Sequence, residues 1–289
     1  MTTTQVRVIT IATPKGGVGK STVAYNLAYY AAKFGRVLLI DGDHSTSLTL
    51  SFSEKINTEN GKSILDIFKK SKKSLIMEPD TTMIQPADEN IDIIPGSSLL
   101  TEEHLDLSRI SHKCLFMYYW ISCNYEELAK NYDYILIDTH NDTSLITRDF
   151  IAVSDIVVAV TDPSKNGLRA YFQLKQEIQK LEDELFDENE KVSYVNTKPF
   201  LILNNLKTNG TTGNHIKNDI KDIPELVGII PEKELMRIST SYDISVYQQY
   251  DQFQNYKKKL HQPFFDQLNQ TFQNILNAAN NAERTEIDG

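Results

Sequence analysis

The chain has 289 residues, 40% of them hydrophobic and 24% charged, which is enough to bury a sizeable core and ordinary for a globular protein. Its formal net charge of −9 argues against a constitutive nucleic-acid binder, because Lys and Arg carry most phosphate contacts. A small basic patch made effective by dimerisation stays open. No apolar stretch approaches the roughly 20 residues that cross a bilayer, and Met1-Thr2-Thr3-Thr4-Gln5 lacks the blocks of a secretory signal, so the expected location is cytoplasmic.

Short apolar runs alternate with helical patterns, which predicts an α/β fold with a mostly parallel twisted sheet flanked by helices. In chain order, a strand is expected at Val6–Ala12, a helix at Ser21–Lys33 ended by Gly35, and a strand at Val37–Asp41. Polar loops follow at 51–62 and 69–89, then a strand at Ile91–Ile94 and helices at Glu102–Leu107 and Cys114–Lys130. A strand at Tyr134–Asp138, a helix at Ser144–Val153, a strand at Ile156–Val160 and a helix at Leu168–Leu185 come next. After a polar loop at 187–198, the pattern gives a strand at Phe200–Asn204, a helix at Gly213–Ile220, a strand at Val227–Ile230 and a helix at Pro263–Ala279. Residues 1–280 are expected to form one domain, with a polar, frayed tail over 281–289. Cys114 and Cys123 could close a disulfide or supply half a metal site, but in a cytosolic chain they read as reduced structural thiols.

The first strand runs into Lys15-Gly16-Gly17-Val18-Gly19-Lys20-Ser21-Thr22 and then a helix, the context a phosphate loop requires. Glycines at 16, 17 and 19 let backbone amides turn inward onto phosphate oxygens, and the helix N-terminus adds partial positive charge. Lys20 is placed to reach the β- and γ-phosphates, Ser21 to ligate Mg2+, and Thr22 to lie near the α-phosphate, so the expected cofactors are ATP and Mg2+. The common loop begins with glycine where this chain has Pro14, and Lys15 is a second lysine.

The form K-G-G-x-G-K-[ST] resembles the deviant Walker A motif of the ParA/MinD family of dimerising P-loop ATPases. That resemblance implies that Lys15 crosses a dimer interface to the partner's nucleotide, offsetting charge on the transferring phosphoryl as an arginine finger does. Asp41 and Asp43, at i and i+2 on an extended segment, point the same way. The resemblance makes Asp43 the residue that positions the attacking water, and puts Asp41 close to the magnesium and the phosphate-loop network, without a direct bond to the metal. Tyr134-Ile135-Leu136-Ile137-Asp138 fits a Walker B strand, with Asp138 holding magnesium through water. Asn204 resembles the strand-end residue that recognises adenine, and Pro231 the proline of the loop beside the base. The chain departs from the family at two places. His44-Ser45 stands where Pro-Gln is usual, and His140-Asn141 where two prolines are usual; His140 reads as a polar switch residue.

Resemblance is strongest to short plasmid-partition ParA proteins without an N-terminal DNA-binding domain, since about five residues precede the first strand. It implies weak Mg-dependent ATP hydrolysis, an ATP-dependent homodimer, non-specific binding of duplex DNA with nucleoid association, and stimulation by a small ParB-like centromere-binding protein. Candidate DNA contacts are Lys207, Lys217, Lys221, Lys233 and Arg237, with Lys257-Lys258-Lys259 and Lys69-Lys70-Ser71-Lys72-Lys73 as further basic clusters. Asn209 and Glu232 stand where several relatives carry arginine. A MinD-like positioning ATPase would need a basic amphipathic C-terminal helix, whereas 264–276 contains no Lys or Arg; no membrane partner is expected. An iron–sulfur reductase would need differently placed thiolates, and a nucleotide-binding scaffold with little turnover is the remaining alternative.

Overall fold

The structure, a computed structural model, describes residues 5–58, 61–71, 78–106, 115–188, 191–206, 220 and 222–283. Its strands are β1 (Arg7–Ile11), β2 (Val37–Gly42), β3 (Gln85–Asp88), β4 (Ile91–Ile94), β5 (Tyr134–Thr139), β6 (Ile156–Thr161), the two-residue pair β7 (Phe186–Asp187) and β8 (Val192–Ser193), β9 (Lys198–Leu206) and β10 (Leu226–Pro231). Eight of them form one sheet in the order β10-β9-β6-β1-β5-β2-β4-β3. Every neighbouring pair in it is parallel except β3 with β4. The central strands read as unbroken apolar runs because both sheet faces are covered. On β2, Val37 and Leu39 pack on one side while Leu38 and Ile40 pack on the other.

The first face is covered by α1 (Lys20–Ala31) and the C-terminal helix Asn255–Asn281, whose Phe265, Leu268, Phe272 and Ile275 are buried. The second is covered by α3 (Ile64–Ser71), α5 (Phe116–Cys123) and α7 (Leu145–Ala152), with Trp120 and Phe150 fully inside. Farther along the sheet, α8 (Lys165–Glu184) lays Tyr171, Leu174, Ile178 and Leu181 over β6 and β9. Each fully buried aliphatic or aromatic side chain contributes about 1.5–3 kcal/mol, so these layers fix the strand register and hence the relative positions of the strand ends. Short α2 (Ser47–Leu50), α4 (Glu102–Leu105) and α6 (Tyr125–Asn131) fill connections.

Several expectations are corrected in detail. The helix expected over Cys114–Lys130 is two helices broken at Asn124, whose side chain is buried and bonds Trp120 O and Asp80 N. Gly35 is not a left-handed helix stop. It is small because a Cβ there would lie 2.3 Å from the Asp133 carboxylate, whose oxygen accepts from Arg36 N. The C-terminal helix begins at Asn255 and carries Pro263 inside it, at an exposed position. Strand β3, helices α2 and α3, and helices Glu234–Ser241 and Val246–Asp251 lie where no element was expected. Most of the expected Gly213–Ile220 helix, Cys114, Leu107 and the end of the tail lie outside the described residues. Among the described residues no helix is long and apolar enough to cross a membrane.

Candidate nucleotide site

Strands β1, β5 and β2 end side by side, with Ile11 opposite Asp138 and Asp138 opposite Asp41 in the parallel register. Open parallel sheets bind ligands outside their carboxyl ends, and all the chemistry-bearing residues gather there. Two hydroxyls lock the edge: Thr139 Oγ1 donates to Ile11 O at 2.9 Å, and Thr13 Oγ1 donates to Val160 O at 2.8 Å. Between them the chain turns through Lys15–Gly19 into α1. Gly17 (φ 73°) and Gly19 (φ 88°) occupy the left-handed region, and a Cβ on Gly19 would also come within 2.6 Å of Asn204 Nδ2.

Helix α1 starts without a side-chain cap and without an acidic residue in its first turn. Its first amides, those of Lys20, Ser21 and Thr22, therefore lack intrahelical partners and are available to an anion. Lys20 is buried beneath them; burial lowers its pKa, while Asp138, Asp43 and Asp142 pull it back up. Val18 is buried, and its carbonyl accepts from Asn204 Nδ2 at 2.8 Å.

Asp138 is fully buried, and neither carboxylate oxygen has a hydrogen-bond partner among the described residues. Burial pushes its pKa up to about 8, with Asp41 adding to the rise and Ser21 and Lys20 acting against it. A fully buried carboxylate that Lys20 and the Ser21 hydroxyl offset only in part is a cation position, and so fits the Ser21 and Asp138 magnesium assignment. Asp41 is placed differently. Its Oδ2 accepts from Thr49 N (2.7 Å) and Thr49 Oγ1 (2.6 Å), and its Oδ1 from Asp43 N (3.2 Å). Burial raises Asp41 to about 6, and these bonds oppose the rise. Asp41 thus holds the loop that carries Asp43.

Asp43 Oδ1 accepts from Ser45 N at 2.8 Å and faces His140 Nδ1 at 2.9 Å. Burial alone would raise its pKa, but the Ser45 amide and His140 outweigh burial and hold it below the ordinary value. An ionised carboxylate only accepts, so Nδ1 carries the imidazole proton. The rings of His44 and His140 lie 4.0 Å apart between centroids, tilted by 39°, bringing together the two sequence departures from the family pattern. A cavity of about 250 Å³ opens beside them, lined among others by Gly42, Glu102, Asp142 and Thr147.

Lys15 points away from this cluster. Its Nζ lies 2.5 Å from Asp162 Oδ1 and 3.1 Å from Ser164 Oγ, at the start of α8. Neither partner was singled out from sequence. The available signal was the strand-end Thr161-Asp162 beside the phosphate loop, with a Ser cap two residues on. Asn141, which the sequence marks only as a departure from the family pattern, lies against Gly16, where a Cβ would come within 3.1 Å of its amide nitrogen. Asn204 Oδ1 is buried and has no partner among the described residues, and Pro231 closes β10 opposite Leu206. Of the basic candidates, Lys233 stands at the N-terminus of helix Glu234–Ser241 and exposed Arg237 pairs with Glu232 at 3.2 Å. Lys207, Lys217, Lys221, Lys72 and Lys73 lie outside the described residues, as do Asn209 and the side chain of Lys70.

A glycine loop at the end of a central parallel strand, an uncapped helix start, a buried lysine and an orphaned Walker B carboxylate define a P-loop NTPase of the ParA/MinD type. The chain belongs to the AAA domain family, whose model matches residues 6–193. It is 31% identical to the sporulation initiation inhibitor protein Soj of Bacillus subtilis over 171 residues, 58% of this chain and 63% of that protein. A ParA family protein of Mycoplasma genitalium is 25% identical over 177 residues, 59% of this chain and 64% of its own length. The chain thus matches just under two thirds of the length of these relatives. A plasmid partition protein from Borrelia burgdorferi, solved with AMPPNP, superposes with a TM-score of 0.69 at 27% identity, covering 95% of this chain and 98% of that one. Apo McdA from Cyanothece, at 18% identity and TM-score 0.74 over 94% of this chain and 99% of that one, shares the fold.

Proposed function

We propose that this chain is an ATP-dependent dimerising switch of DNA partition: a single P-loop domain over residues 1–280 that hydrolyses MgATP weakly. In its ATP state it pairs with a second copy and binds duplex DNA without sequence preference on the nucleoid, and a small ParB-like centromere-binding protein stimulates its turnover. The observation that carries this is the pairing of an uncapped α1 start with the orphaned buried carboxylate of Asp138, an anion site and a cation site side by side. The relatives' names and the AMPPNP bound by the Borrelia protein support it.

The residues divide the work. The amides of the Gly16–Thr22 turn and Lys20 bind the triphosphate. Ser21 directly and Asp138 through water hold magnesium, which neutralises charge on the phosphate oxygens when bound. Asp43, fixed through Oδ1 by Ser45 and His140, has Oδ2 left to orient the attacking water. Asn204 has its buried Oδ1 acceptor left for the adenine amino group, with Pro231 beside the base. Lys15 leaves Asp162 to reach the partner's phosphates. Binding energy that exists only with the γ-phosphate shifts the monomer–dimer population.

Light scattering of the full chain tests the switch. Asp43→Ala in ATP and magnesium is expected to be dimeric, and wild type in ADP monomeric. A monomer in ATP with hydrolysis blocked would overturn the assignment.

A further inference from the structure

We infer that Asp43, His44 and His140 form a binding site for one zinc-class transition-metal ion, separate from the magnesium position at Ser21 and Asp138. One ligand atom from each of the three residues lies within 4.8 Å of the other two. A tetrahedral ion with bonds of 2.0–2.1 Å needs ligand atoms about 3.4 Å apart, so side-chain rotations of about 1 Å close the set. The imidazoles come from loops after neighbouring strands β2 and β5, and their rings already lie 4.0 Å apart between centroids, tilted by 39°. Asp43 is buried, whereas both histidines are half-exposed, so an ion has a carboxylate inside and an entry from solvent. Three protein ligands with partly exposed histidines would leave a fourth position to water, the arrangement of an open three-ligand site.

Chemistry separates this site from the magnesium position. Magnesium takes oxygen ligands, phosphate oxygens among them, and dehydrates reluctantly; two imidazole nitrogens with one carboxylate suit Zn2+, Co2+ or Ni2+ instead. The main-chain amide of Ser45 keeps Asp43 oriented with or without the ion. A second consequence rests on the proposed function. If Asp43 orients the attacking water, an ion bound to it withdraws that carboxylate from the reaction while the phosphate loop stays intact. Zinc would then hold the protein in its ATP state.

Binding is measured first on nucleotide-free full-length protein, titrated with Co2+ and followed by its visible absorption, and with Zn2+ by calorimetry. One ion per chain is expected, with affinity falling at least about tenfold in both His44→Gln and His140→Gln and unchanged in Ser21→Ala. Retained ATP binding shows that the glutamine variants are folded. In wild type, labelled imidazole nitrogens of both histidines shift on adding Zn2+. Affinity unchanged in both histidine variants, loss in Ser21→Ala, or a thiolate-to-cobalt band placing the ion on cysteine would each overturn the site. Phosphate release in excess MgATP is then read with and without Zn2+ for each variant. Inhibition of wild type but not of His44→Gln supports the consequence for turnover. Equal inhibition of both rejects that consequence and leaves the binding result standing, so the two failures are told apart.

Discussion

The Lys15 side chain is 25% exposed and that of Asp162 38%, which makes their 2.5 Å contact a partly solvated ion pair. Such pairs are worth about 0–1 kcal/mol, and the charge of a triphosphate across an interface outweighs that easily. The pair therefore acts as a resting place that sets how often Lys15 is available. Asp162→Asn removes the charge and keeps the shape, so it is expected to lower the ATP concentration for half-maximal dimerisation by about two- to fivefold, as a loss of up to 1 kcal/mol implies. Lys15→Ala is expected to bind ATP as a monomer. Concentration-dependent sedimentation with ATP reads both, and an unchanged midpoint in Asp162→Asn would remove the latch. The resting contact could not be read from sequence because it joins residues 147 apart. The phosphate loop itself was legible, since its conformational demand falls on glycines within one short local stretch, Gly16-Gly17-Val18-Gly19. Two of those glycines do take positive φ.

Among the elements, α5 has no side-chain cap of its own, and its Met117 N donates 3.1 Å to Asp149 Oδ2 on α7. A helix N-terminus favours negative charge, yet Asp149 is fully buried and its Oδ1 has no partner among the described residues. Burial dominates and raises its pKa well above 3.8, with the Met117 and Phe116 amides acting in the opposite direction. The sign follows from proton counting. Above pH 3.8 the unfolded chain releases this proton while the folded chain keeps it, so Asp149 makes stability fall as pH rises towards the folded value. The slope approaches about 1.4 kcal/mol per pH unit for one whole proton. Asp149→Asn keeps the acceptor and cannot ionise, so its stability should decline less steeply than wild type's as pH rises above 3.8, read by denaturant titration. Parallel curves would refute the assignment. Asp149→Ala should lose about 1–3 kcal/mol at any pH, because the α5 amides lose their acceptor. No local pattern announces a cap supplied by a distant helix. Strands covered on both faces, such as Ile156–Thr161, did announce themselves. The edge strand Gln85–Asp88, with Pro86 and one buried side chain, did not. Helices Glu234–Ser241 and Val246–Asp251 are about two turns or fewer, too short for a 3.6-residue period to stand out.

Across the whole molecule, a dimer would carry 2 × (−9) = −18, so binding to DNA requires its cations to be gathered on one surface. Part of such a surface exists. Besides burial, both Lys233 and Lys257 depress the pKa of His261, which places two lysines 24 residues apart in sequence around one imidazole. Lys257 and Lys259 are exposed on the first turns of the C-terminal helix. Arg237 is also exposed but tied to Glu232. If each protomer presents Lys233 and Lys257 to the phosphates, four contacts form per dimer, and log K should fall against log salt with a slope of about −3.6. Lys233→Ala removes two of the four and should bring the slope to about −1.8, with weaker binding to every duplex sequence alike. Glu232→Ala frees Arg237 and should strengthen binding. Fluorescence anisotropy of an arbitrary duplex, titrated with the protein in ATP and in ADP at several salt concentrations, reads all three quantities. A slope unchanged by Lys233→Ala would move the DNA surface away from this end of the sheet, and no ATP-dependent binding even at low salt would remove DNA from the proposed cycle altogether.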